Sequence, residues 1–174
     1  VVGNWKMYTS LSDAHILTTI IRNNTSKLEN VEVVLCPPFV WLSEMANIIN
    51  RSGKIKLGAQ NVFYEPEGPY TGEISPLMLQ DLAQYVIVGH SERREHFAEN
   101  DLDVNEKTIV ALRAGLSPII CVGEKKKSNR YPDSPIKQLK EALIHIPKKN
   151  YPKIVVSYEP VWAIGTGNAA DPDY

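Results

Sequence analysis

Side chains suited to acid–base chemistry follow three apolar runs of this chain. Lys6 comes just after the first run, His90 follows the run 85–88, and Glu159 follows the run 154–156. A cation, an imidazole and a carboxylate together suit general acid–base catalysis on a small anionic molecule that carries oxygen. Each residue also has an ordinary structural role, because lone lysines are usually surface cations and lone histidines are usually hydrogen-bonded.

Glu159 is the hardest of the three to explain as surface charge. It follows a strand that reads as buried, and a carboxylate desolvated there without a partner costs several kcal/mol. An ion pair and a functional base are therefore equal alternatives for Glu159. The dense charges at 92–95 are, by contrast, typical of a solvated helix start with internal ion pairs.

The elements that must position these residues alternate along the chain. Strand-length apolar runs lie near 1–6, 31–36, 55–59, 85–89, 117–122 and 153–158, and amphipathic stretches separate them. Runs that are apolar at successive residues are typical of parallel strands covered on both faces. Helices are predicted from Ser12, over 38–52, over 101–114 and over 134–146. In the first of them, Ile16, Leu17, Ile20 and Ile21 are predicted to form the apolar face.

A repeated βα unit leaves two architectures open, an open doubly wound sheet and a closed eight-stranded barrel. In both, function gathers at the carboxyl ends of the strands. A barrel needs about 250 residues, whereas this chain has 174. As a barrel it would lack about a quarter of the usual length, whereas as an open sheet it could be complete. We predict a single domain over 1–174.

Composition excludes several classes of protein. Hydrophobic residues make up 43% and charged residues 22%, which excludes a disordered chain. The net charge of −1 gives no general attraction to nucleic acid or to an anionic membrane. No apolar run approaches the roughly 18 residues that cross a bilayer, and no secretory leader is visible. We therefore expect a cytoplasmic protein with no nucleic-acid or membrane partner.

The cysteine content argues against a metal centre. Cys36 and Cys121 each follow an apolar run. One disulfide between them is the alternative, but we expect both to be reduced, buried thiols. Two cysteines cannot form a metal site alone, and neither C-x-x-C nor H-E-x-x-H occurs. No metal is expected.

A glycine-rich segment supports a competing hypothesis. Residues 165–170 match G-x-G-x-x-A, the pattern of dinucleotide-binding domains. However, Gly165 lies six residues beyond Glu159 rather than directly after a strand. A mobile loop fits better, with Pro160 as its stiff entry, and with Trp162 and Ile164 packing when it closes. A free N–H of Gly165 could then approach a phosphate.

Three longer motifs resemble the triosephosphate isomerase family. They are Asn4-Trp5-Lys6-Met7, Gly89-His90-Ser91-Glu92-Arg93-Arg94 and the stretch 158–167, Y-E-P-V-W-A-I-G-T-G. G-A-Q-N at 58–61, Y-T-G-E-I-S at 70–75 and C-V-G-E at 121–124 support them. The motifs occur in the family's order and at its expected separations, from Val1 to about Gly167. The resemblance implies an α/β fold, the (β/α)₈ TIM barrel.

The resemblance also implies a reaction, the interconversion of dihydroxyacetone phosphate and glyceraldehyde 3-phosphate in glycolysis and gluconeogenesis, without a metal or organic cofactor. Glu159 would be the catalytic base and His90 a neutral electrophile, the roles these residue types have in this family. Lys6 would place positive charge near the phosphate and the enediolate, and Asn4 would orient a substrate oxygen. Glu92 would hold Lys6 in place.

Further roles come from the same resemblance. Ser91 and Cys121 would support the site, and closure of a lid would bring the N–H of Gly165 to the phosphate. The predicted lid residues are Pro160, Val161, Trp162, Ala163, Ile164, Gly165 and Thr166. Asn168 stands where the family usually has a lysine.

The resemblance implies a homodimer in which the loop 61–75 reaches into a partner subunit, with Tyr70 and Thr71 at the interface. The family continues past the lid into two more strands with glycine-rich loops. We therefore expect a barrel that is incomplete after strand six and its loop, and possibly at its N-terminus. The alternative to an active isomerase is a non-catalytic barrel fragment, whose exposed strand edges would associate.

Overall fold

The strands follow one another in a single parallel sheet. The structure, a computed structural model, describes residues 1–25, 28–49, 54–127, 133–167 and 170–171. Its strands are Val2–Asn4 (β1), Val33–Cys36 (β2), Ile55–Ala59 (β3), Tyr85–Val88 (β4), Ser117–Val122 (β5) and Val155–Tyr158 (β6). They pair in parallel in the order β1-β2-β3-β4-β5-β6. A doubly wound sheet reverses its strand order, so the sequential order confirms the barrel-type fold.

Helices fill the connections between the strands. They are Leu11–Thr25 (α1), Phe39–Ile49 (α2), Pro76–Leu79 (α3), Ser91–His96 (α4), Asp101–Arg113 (α5) and Asp133–Ala142 (α6), and a 3₁₀ turn spans Lys148–Lys153. A reciprocal capping box between Asn100 and Asp103 fixes the start of α5. The helix α6 ends at Ala142, earlier than predicted, and turn residues follow it. None of the described helices is long and apolar enough to cross a membrane.

Alternate residues of the strands face two separate layers of the core. Ile87, Ile119 and Cys121 share one cluster with residues of β2. Val88 and Ile120, their neighbours along the chain, belong to the larger cluster that includes the helices. This arrangement explains why β4 and β5 are apolar at successive positions: one face lines the barrel interior and the other packs under the helices.

The sixth strand differs from these. Val155, Val156 and Tyr158 of β6 are all exposed, so the expectation that Glu159 follows a buried strand is wrong.

The prediction for the apolar face of α1 is wrong in part. Ile16 and Ile20 are more than half exposed, whereas Ala14 and Thr18 are fully buried. Small residues let α1 approach α2 closely, and the Thr18 hydroxyl donates to Sδ of Met45 at 2.7 Å. Leu17 is also exposed, so Ile21 is the member of the predicted face that packs against the core.

Candidate active site

His90 and Glu159 meet at the carboxyl ends of β4 and β6. Nε2 of His90 lies 3.2 Å from Oε1 of Glu159, and both side chains are almost buried, 12% and 13% exposed. The backbone N–H of Ser91 donates to Oε2 of Glu159 at 3.0 Å. A carboxylate with so little solvent needs nearby donors. The backbone N–H of Ser91 is one, and Nε2 of His90 lies within ion-pair distance of the other oxygen.

The hydrogen bonds of His90 define its tautomer. The backbone N–H of Glu92 donates to Nδ1 at 3.2 Å, so Nδ1 accepts and carries no proton. The ring proton is then on Nε2, the nitrogen that lies nearer Glu159. A carboxylate oxygen of Glu92 lies 3.5 Å from Nδ1, too far to compete with that backbone bond. Nε2 of His90 is therefore the ring nitrogen that faces Glu159.

Lys6 adopts a backbone conformation that is unfavourable for a residue with a side chain. Its φ is +53°, in the left-handed region. Oδ1 of Asn4 accepts the N–H of Lys6 at 2.9 Å, and Nε2 of Gln60 donates to its carbonyl at 2.9 Å. Strain of this kind persists where the surroundings fix it, and it clusters at functional sites. The amide oxygen of Asn4 thus shapes the backbone that carries the lysine.

The ammonium of Lys6 is paired with Glu92. Nζ lies 2.5 Å from Oε1 of Glu92, and the two side chains are 36% and 42% exposed. At this exposure the pair contributes little to stability. It does hold the ammonium beside α4, the helix that follows His90.

Residues at the end of β5 and just after it lie close to Glu159. Burial, followed by the negative charge of Glu159, raises the pKa of the Cys121 thiol. The thiol is therefore protonated and can donate. Gly123 comes closer still, because a Cβ built on it would lie 1.8 Å from the carbonyl oxygen of Glu159. Only glycine permits this approach of two backbones.

The predicted lid is a series of turns anchored at its start. Nε1 of Trp162 donates to Oε1 of Glu124 at 2.6 Å, and the Tyr158 hydroxyl donates to the same carboxylate at 2.9 Å. Gly165 is exposed, with a φ of +73°. Pro160, Val161, Ala163, Ile164 and Thr166 complete the segment, and the Thr166 hydroxyl donates to the carbonyl of Ala163. Asn168 lies outside the described residues.

The two predicted interface residues lie on the surface. Tyr70 and Thr71 are exposed in a loop whose ends are joined by the N–H of Phe63 and the carbonyl of Ile74, at 2.8 Å. The Tyr70 ring lies 4.7 Å from that of Phe63, centroid to centroid. The loop is thus internally packed and presents Thr71 outward.

Sequence reasoning assigned no role to Glu124 or Lys107. Glu124 lies two residues after the buried strand β5. A carboxylate just after an apolar run is the signal that singled out Glu159, and it could have found Glu124 too. Lys107 is 5% exposed, three residues after Val104 and four before Ala111 on the core-facing stripe of α5. A lysine at that spacing indicates a buried ion pair.

The sequential parallel βα units, with a carboxylate, an imidazole and a lysine at their carboxyl ends, define a TIM-barrel protein. The model of the family "Triosephosphate isomerase" matches residues 1–174. The chain belongs to the triosephosphate isomerase family, whose members are intramolecular isomerases. Among the described residues, no group of three or more His, Cys, Asp or Glu side chains could hold a metal ion.

Proteins from several bacteria are similar to this chain in sequence. The chain is 50% identical to triosephosphate isomerase of Dehalococcoides mccartyi over 173 residues, which are 98% of this chain and 67% of the relative. It is 45% identical to that of Dictyoglomus thermophilum, over 98% of this chain and 70% of the relative. A crystal structure of triosephosphate isomerase from Bartonella henselae has a TM-score of 0.83 and 39% identity, covering 93% of this chain and 68% of that one. The chain thus spans about two thirds of the length of these relatives.

Proposed function

We propose that this chain carries the acid–base residues of a triose-phosphate isomerase, which interconverts dihydroxyacetone phosphate and glyceraldehyde 3-phosphate. The supporting observation is the pair formed by the Nε2–H of His90 and the carboxylate of Glu159, 3.2 Å apart at the strand ends. Removing a proton next to a carbonyl requires a base on the carbon and a donor on the oxygen. These two side chains provide both functions within the reach of one small molecule.

The proton transfers follow from that assignment. Glu159 removes a proton from C1 of dihydroxyacetone phosphate, the C–H electron pair forms the C1–C2 double bond, and the carbonyl electrons move onto O2. Nε2 of His90 donates its proton to O2 and recovers one from the hydroxyl on C1. Glu159 then returns its proton to C2, which gives the aldehyde. Substrate oxygens would replace Glu159 at His90, and the released carboxylate would reach both carbons.

Because the substrate is an anion that forms an enediolate, its site requires a cation and the exclusion of water. The Lys6 ammonium would neutralise the phosphate and the developing enediolate, and Asn4 would orient the substrate. The exposed Gly165 N–H would reach the phosphate when the lid closes. Closure would also exclude water, because an exposed enediolate phosphate eliminates its phosphate group.

Steady-state kinetics in both directions tests this function, with exchange of solvent deuterium into the substrate as a second readout. Glu159→Asp shortens the base by one methylene, so we expect kcat to fall about 100-fold. Glu159→Gln removes the base, and both turnover and deuterium exchange should be abolished. Glu95→Gln, an exposed glutamate of α4, is the matched control and should keep wild-type rates. Undiminished exchange in Glu159→Gln would rule out the assignment.

The remaining expectations are part of the same proposal. We place the reaction in glycolysis and gluconeogenesis, in the cytoplasm, with a homodimer as the working assembly. Exposed Tyr70 and Thr71 on a closed, packed loop support an intersubunit contact. Thr71→Arg should shift sedimentation toward the monomer, whereas a change at exposed Lys140 of α6, Lys140→Met, should not. Equal sedimentation of Thr71→Arg and wild type would place the interface elsewhere.

A further inference from the structure

A buried ion cluster lies beneath His90. Oε2 of Glu99 accepts Nε of Arg93 at 2.6 Å and Nζ of Lys107 at 2.7 Å. The Glu99 side chain is 2% exposed and that of Lys107 7%, while Arg93 is 28% exposed. Lys107 is therefore the more deeply buried of the two cations that face this carboxylate. A buried charge pair of this kind is sensitive to the loss of either partner.

The other oxygen of Glu99 holds the residue before His90. Oε1 accepts the backbone N–H of Gly89 at 2.7 Å. The carbonyl of Gly89 accepts Nε of Arg94 at 2.8 Å, so charged side chains hold both of its backbone polar groups. Gly89 has a φ of +72°, and a Cβ there would lie 2.9 Å from Val104. The Glu99 carboxylate thus fixes the backbone turn that orients the His90 side chain.

Lys107 also bonds to a second strand end. Its Nζ donates to Oδ1 of Asn61 at 3.0 Å, and Asn61 is 9% exposed. Asn61 opens the loop that carries Tyr70 and Thr71. One ammonium on α5 therefore joins the ends of β3 and β4.

We propose that Lys107 is a positioning residue for His90, acting through the carboxylate of Glu99 and the N–H of Gly89. Lys107 does not touch the reacting atoms. It holds Glu99 in the one orientation that bonds Gly89, and so fixes where the imidazole stands relative to Glu159. Small displacements of a catalytic group are costly, about 100-fold in rate for an ångström.

The test compares Lys107→Met, Glu99→Gln, the double variant and the control Lys140→Met. It has two readouts, kcat with KM, and the ¹⁵N resonances of the His90 ring, assigned with His90→Gln. We expect Lys107→Met to lower kcat at least about tenfold, with KM within about twofold, and to shift the His90 resonances but not those of His15 and His145. Lys140→Met should change neither readout.

The double variant addresses a failure of either single variant to fold, because it removes both buried charges together. If Lys107 acts through Glu99, the fold-loss of kcat in the double variant should equal the fold-loss in one single variant, rather than the product of the two single losses. The inference would be overturned if a folded Lys107→Met or double variant kept the wild-type kcat and the wild-type His90 resonances. This holds whatever the thermal midpoint of the variant. The kinetic readout rests on the proposed function. An inactive wild type would refute that function alone, since the His90 resonances would still decide the role of Lys107.

Discussion

Glu159 lies 3.2 Å from the ring nitrogen of His90, although β5 separates their strands in the sheet. The imidazole can donate to that carboxylate because its other nitrogen accepts the N–H of Glu92. The proposed base and the proposed proton donor are therefore in direct contact in the absence of substrate. In the proposed mechanism, a substrate that takes over Nε2 of His90 would release the carboxylate, so substrate binding and activation of the base would be coupled at this contact.

Gly123 sets the position of the Glu159 backbone, so its replacement should impair both stability and turnover. In Gly123→Ala the added methyl group would lie 1.8 Å from the Glu159 carbonyl oxygen, and one of the two segments must move. We expect a loss of about 1–3 kcal/mol in the free energy of unfolding and of about 100-fold in kcat. Urea unfolding and steady-state kinetics measure these. Gly3→Ala, whose Cβ would have only ordinary contacts at 3.9 Å, is the control, and equal effects in the two variants would refute this account.

Glu124 restrains the start of the lid. Trp162→Phe removes the donor of a 2.6 Å hydrogen bond to that carboxylate while keeping an aromatic ring. A hydrogen bond to a charged group contributes about 1.5–3 kcal/mol, so amide exchange at Val161 and Ala163 should accelerate at least about tenfold. Hydrogen exchange read by NMR measures it. Trp41→Phe removes an indole N–H that donates to the carbonyl of Thr9 at 3.3 Å, outside the predicted lid. This variant should leave exchange in the predicted lid unchanged, whereas acceleration in both variants would indicate general destabilisation.

The charge on Glu99 makes stability depend on pH. Burial raises its pKa, but the Lys107 ammonium and then the Arg93 guanidinium outweigh burial and hold the pKa below its ordinary 4.5. A lowered folded-state pKa stabilises the fold above the unfolded value, and this stabilisation is lost as pH falls through the folded value. Below about pH 4.5 the free energy of unfolding should therefore fall more steeply in wild type than in Glu99→Gln. Chemical denaturation at a series of pH values checks it, and Glu95→Gln should keep the wild-type slope.

Both cysteines should resist thiol reagents in the native state. Burial raises the pKa of Cys36 to about 12 and also raises that of Cys121. Because the thiolate is the reactive form, neither residue should react appreciably with Ellman's reagent at pH 8 until the protein unfolds. Titration before and after denaturant should find both thiols free only in the second case. Rapid modification of native protein would contradict the buried, protonated state.

Much of this protein could be predicted from its sequence. The apolar runs located the six strands of the described residues, and polar residues after those runs identified His90, Glu159 and Lys6 as candidates. Two-sided burial explains the continuous pattern in β4 and β5, whereas β6 is apolar but exposed. The same reasoning failed on α1, where the bulky Ile16 and Ile20 were expected in the core and the small Ala14 and Thr18 occupy it instead. Periodicity marks an apolar face but does not give the distance at which a neighbouring helix packs.

The sequence by itself determined the order of the βα units and the residue types at their ends, since both depend on local pattern. Only the tertiary structure decided which of those ends meet. The approach of Gly123 to Glu159, the bond between Trp162 and Glu124, and the link from Lys107 through Glu99 to Gly89 join residues on different segments. Their geometry depends on how the sheet curves and how α5 packs against it, and burial then makes each charge dependent on its partner.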